Sequence, residues 1–155
     1  MKTTIKLLSL VFVIFSISCQ QGKTEEAKAF DKQMEETIKI HDDVMPRMSK
    51  INTLITELET QKEELQKAEE VDVEKLELHN NAIANLKQAH DLMMSWMKNF
   101  SDSFSRTEIN RGLETQDKDS IMAKMRLLDA QYKSAEEMQK SIAEAIENAQ
   151  IILSK

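Results

Sequence analysis

The chain has 155 residues, 27 of them acidic against 21 Lys and Arg, for a formal net charge of −6. A balance this acidic argues against nucleic acid and anionic lipid surfaces as partners. Two glycines and one proline are too few to punctuate a many-stranded fold, while Glu, Lys, Gln, Ala, Leu and Met favour helix. The length suits one domain.

The N-terminal segment opens with Lys2 and Lys6, followed by an apolar run from Leu7 to Ile17. That run is far shorter than the ~20 residues needed to span a bilayer, and it fits the apolar region of a signal peptide. It ends at Ser16-Ile17-Ser18-Cys19, where residues 1–19 resemble a bacterial lipoprotein signal. Ser18 supplies the small residue before the cysteine, and Ser16 stands where the family usually has Leu. The resemblance implies removal of residues 1–18 and acylation of Cys19 by palmitate-type chains. Several acyl chains give stable anchoring where one does not.

Cys19 is the only cysteine, so no disulfide within one chain competes with lipidation. Loss of Lys2 and Lys6 with the leader takes the net charge from −6 to −8. Gln20 is not the Asp that holds enterobacterial lipoproteins at the inner membrane, and Gln20–Thr24 lacks the acidic run of flavobacterial surface lipoproteins. The implied address is the outer membrane, facing the periplasm, with the cell surface left open.

After a short tether at residues 19–24, the 3.6-residue period predicts helices over about 25–67, 73–104 and 118–153. The apolar stripe of the first is Phe30, Met34, Ile38, His41, Val44, Met48, Ile51, Ile55, Leu58 and Leu65. Pro46 interrupts it and predicts a kink. Asp72 is the expected N-cap of the second helix, whose stripe is Leu76, Ile83, Leu86, His90, Met93, Met97, Phe100 and Phe104. His79 falls at the edge of that stripe and takes no role. Residues 105–116 read as a loop or broken helix, and Asp117 or Asp119 caps the third. That helix is lined by Ile121, Met125, Leu128, Tyr132, Ala135, Ile142, Ala145, Ala149 and Ile152. The expected fold is all-α: an elongated up-down-up antiparallel bundle of three helices.

One constellation stands out. His-x-x-x-Met-x-x-Met occurs twice, as His41, Met45, Met48 and as His90, Met94, Met97, with Asp42 and Asp91 after the histidines. The spacing aligns each trio on one helical face. Folding the second helix back about Val71 predicts two mixed groups: His41, Met45 and Met97, and His90, Met94 and Met48. Imidazole with two thioethers suits Cu(I). Centring the next connection on Arg111 adds Met125 beside Met97. The plainer reading of the same residues is core packing, since Met fills irregular gaps. A b-type haem with His41 or His90 as an axial ligand is a further alternative.

Enzyme motifs are absent. There is no Gly-rich phosphate loop, no His-Glu-x-x-His, no Gly-x-Ser-x-Gly and no Glu-x-x-His. The segments His41-Asp42-Asp43-Val44-Met45-Pro46-Arg47-Met48 and Met93-Met94-Ser95-Trp96-Met97 resemble small helical lipoproteins of flavobacterial type, some labelled "viral A-type inclusion protein". That resemblance implies a helical lipoprotein without an assigned activity. The expected function is a non-enzymatic, membrane-anchored structural or protein-interaction module, with Cu(I) binding as the alternative. The protein partner and oligomeric state are left open.

Overall fold

The computed structural model describes residues 22–154. Their regular structure is helical throughout: α1 Glu25–Val44, α2 Arg47–Lys67, α3 Val73–Ser103, α4 Arg106–Arg111 and α5 Lys118–Leu153. Cys19 and the leader lie outside the described residues. Among the described residues, no helix is long and apolar enough to cross a membrane.

Local chemistry sets the helix starts. The Thr24 hydroxyl accepts from the Ala27 amide at 3.1 Å, and Asp72 accepts from the Lys75 amide at 3.0 Å. Asp117, rather than Asp119, caps α5 by accepting from Ser120 at 2.9 Å. Each side-chain oxygen satisfies an amide that no helical carbonyl can reach.

Helices α1 and α2 are one helix bent at Pro46. Met45 and Pro46 both keep right-handed helical dihedrals, but Pro46 has no N–H to give the Asp42 carbonyl. The ladder tightens there, with Met48 N–H donating to the Met45 carbonyl at 3.2 Å.

Paired side chains fix the directions of the helices. Glu26 with Lys118 (3.0 Å) and Gln33 with Asp129 (2.6 Å) rise together, so α1 and α5 run parallel. Glu59 with Lys87 (3.3 Å) and Gln61 with His79 (3.0 Å) run in opposite senses, so α2 and α3 are antiparallel. Trp96 with Gln131, and Ser103 with Lys124, make α3 and α5 antiparallel too. This is the up-down-up bundle expected from the periodicity.

The core takes one residue in three or four along each rod. It includes Phe30, Met34, Val44, Ile51, Leu54 and Leu58 from α1 and α2, and Leu86, Met93, Ile121, Leu128 and Ile142 from α3 and α5. On α3 the buried positions are His79, Ala82, Ile83, Leu86, Ala89, Met93, Trp96 and Phe100. The expected stripe shares Ile83, Leu86, Met93 and Phe100 with this face but ran through His90 and Met97 where Ala89 and Trp96 are buried. Alanine accounts for the difference. Ala82, Ala89, Ala135, Ala145 and Ala149 are all buried, and α3 packs on α5 more extensively than any other pair of helices. Small side chains let two backbones approach closely, and the larger neighbours at 90 and 97 are turned outward.

Candidate functional site

The ring-bearing side chains gather in the seam between α1 and α3. Phe30 meets Phe104 edge-on at 6.0 Å, Phe104 meets Phe100 at 5.2 Å, and Phe100 stacks on Trp96 at 4.9 Å. Trp96 in turn stacks with the His41 imidazole at 5.6 Å and 24°. Residues 96, 100 and 104 are spaced by four, so one face of α3 presents them in a column. The column starts and ends on α1, and the two backbones make few close approaches, as rings this large would require.

Trp96 is held from its far side. Its indole N–H donates to the Gln131 main-chain carbonyl on α5 at 3.0 Å. His41 is held by Asp42, whose carboxylate lies 3.0 Å from Nδ1. A carboxylate only accepts, so Nδ1 carries the proton. The other ring nitrogen, Nε2, is buried without a hydrogen-bond partner. The side chain as a whole is 20% exposed.

The doubled motif does not lie in the core. Met45 is 45% exposed, Met94 53% and Met97 37%, while Met48 packs half-buried against the core. The expectation that the stripe coincides with the core face is corrected here: the alanine seam sets the rotation of α3 and leaves Met94 and Met97 outside. His90 lines a shallow recess with Asn52, Ile55, Glu59, Lys87 and Asp91. Its Nδ1 is 3.5 Å from Asp91 and its side chain is 38% exposed. Residues 45, 48, 52, 55 and 59 on one rod, and 87, 90, 94 and 97 on the other, step by three and four. Both motif copies therefore border one outward seam.

The hairpin register is close to expectation, since Gln61–His79 and Glu59–Lys87 are centred within two residues of Val71. The second connection differs. Trp96 faces Gln131 and Ser103 faces Lys124, so Met125 is level with the end of α3. It sits about five residues, roughly 7 Å of helical rise, from the level of Met97 and does not join that group. The cause is α4. Ser105 and Glu108 form a reciprocal capping box that inserts a helical turn into the connection and moves its centre past Arg111. The Ser-x-x-Glu spelling was the available signal for it.

His79, left without a role by its sequence position, is 4% exposed. Its Nδ1–H donates to the Lys75 carbonyl at 2.8 Å, and the Gln61 carboxamide lies 3.0 Å from Nε2. Its hydrogen-bonding capacity is used up by the hairpin. Among the described residues, no three His, Cys, Asp or Glu side chains are grouped to hold a metal ion.

At the other end of the bundle, Glu108 pairs with Lys124 at 2.7 Å. Burial pushes its carboxyl up. The Lys124 ammonium and the Ser105 amide and hydroxyl outweigh that, and the group sits below its ordinary value of 4.5. Comparison of the chain with protein families, with curated proteins and with solved structures gives no match in any of the three.

Proposed function

We propose that this chain is a non-enzymatic lipoprotein, held by Cys19 to the outer membrane on its periplasmic side, and that its bundle serves as a structural and protein-interaction module. The observation that carries the interaction reading is the exposure of Met45, Met94 and Met97 along one seam. Burying these side chains inside would have been favourable, at about 25 cal/mol per Å² of apolar surface. A row of flexible thioethers left in water is the composition of adaptable helix-docking surfaces. The acidic charge of the chain favours a partner helix with an apolar stripe and basic flanks.

The leader and Cys19 support the anchor, because a short apolar run with a small residue before a lone cysteine is the pattern of lipid attachment. Two measurements check the parts separately. Cys19→Ser is expected to abolish incorporation of a labelled fatty acid and to move the protein out of the membrane fraction; continued labelling refutes the anchor. A photo-crosslinking residue at Met94 is expected to give one discrete adduct in cells, and one at Glu147 none. Equal, diffuse labelling from both positions refutes the docking seam.

A further inference from the structure

We infer that His41, together with Met45 and Met97, forms a single site for a soft monovalent cation of the Cu(I) or Ag(I) class, and that the second motif copy at His90 forms none. The starting point is the state of the His41 ring. Trp96 stacks on its face and Asp42 takes its Nδ1 proton. In the neutral imidazole the lone pair is then on Nε2, which is buried with no partner. A carboxylate on one ring nitrogen and a free lone pair on the other is the arrangement that orients histidine towards a metal.

The other side-chain donors of the motif are thioethers. Met45 is one turn along the same face, its amide donating to the His41 carbonyl at 2.9 Å. Met97 follows Trp96, on which the ring rests. Both side chains are partly in solvent, so they are not locked by packing and can turn through three side-chain torsions. Nitrogen with two sulfurs selects soft ions over hard divalent ones. Binding forms one dative bond from nitrogen and two from sulfur, with no change of oxidation state and no proton lost from the neutral ring. The Asp42 carboxylate offsets the single positive charge.

The His90 copy has Met94 one turn along its face but differs at the ring and its surroundings. Its ring is more exposed, its Asp91 contact is longer at 3.5 Å, and its recess contains the Lys87 ammonium and no methionine. The site shares Met45 and Met97 with the proposed docking seam; the crosslink from Met94 and the metal titration below test the two readings separately.

The test is an anaerobic titration of the full chain in detergent micelles with Cu(I) against a competing chelator, repeated with redox-inert Ag(I). Trp96 is the only tryptophan, so its fluorescence reports the site directly. The expected result is one equivalent bound with quenching of Trp96. His41→Ala removes it, His90→Ala leaves it, and Asp42→Ala weakens it by about 10- to 100-fold. Should His41→Ala unfold, Met45→Leu with Met97→Leu keeps side-chain volume and is expected to abolish tight binding at unchanged helicity. Affinity no better than that of a free Met-containing peptide overturns the proposal. So does binding that survives the double Leu variant, or that is lost equally in His90→Ala.

Discussion

At the scale of single residues, the inward face of α3 combines small alanines with large apolar side chains and does not take in every large apolar residue. Met94 and Met97 are large and apolar, yet they are exposed, while Ala82 and Ala89 are fully buried. The sum of small contacts across a close helix pair outweighs the burial of two larger side chains. Substitutions should follow this order. Ala89→Leu is expected to destabilise by about 1–3 kcal/mol through overpacking, and Met94→Ser to fall within about 0.5 kcal/mol of the parent. Urea denaturation compares them, and a larger loss from Met94→Ser would mean that the seam is core after all. His41 was legible in the sequence as a candidate; the stacking of its ring on Trp96 was not, because that contact joins residues 55 positions apart.

At the scale of elements, the kink and the cap make separate predictions. Buried positions continue through the bend from Val44 to Ile51, one heptad apart, so the stripe keeps its face across Pro46. Pro46→Ala restores the missing N–H without turning the stripe. It is expected to raise stability, by less than the ~3 kcal/mol that an interior proline costs. Calorimetry showing a lower Tm would mean that the bend itself is required.

The cap on α4 is pH-dependent. Glu108 lies below its ordinary value of 4.5, so its contribution is fully present above that pH and is lost as pH falls through the lower, folded value. Amide protection factors at Ser105 and Glu108, taken relative to the intrinsic exchange rate at each pH, should therefore fall on acidification below pH 4.5, and Glu108→Gln should remove the dependence. An unchanged profile in the variant would assign the effect to another group.

At the scale of the whole molecule, the end where the tether enters is tied shut. Lys23 pairs with Asp31 and donates to the Arg111 carbonyl at 2.5 Å, linking the tether, α1 and the end of α4. Gly112 sits beneath the Asp31 carboxylate with φ +74° and ψ −165°, a conformation essentially confined to glycine. A Cβ there would fall 1.6 Å from Asp31 Oδ1. Gly112→Ala is expected to cost about 1–3 kcal/mol and to free the tether, seen as faster proteolysis near Lys23; wild-type stability and cleavage would refute the tie.

The amino-acid pattern alone determined the helical class, the three rods and their ends, the bend at Pro46 and the hairpin about Val71. These depend on periodicity, caps and a missing amide, which act within a few residues along the chain. The rotation of each rod about its axis and the register of α5 were decided only in the folded bundle. They depend on how alanine and aromatic side chains of different helices fit together, and on a connection lengthened by α4. That step moved the histidine–methionine motifs from the expected core to an outward seam, and left one imidazole nitrogen buried with its lone pair unused.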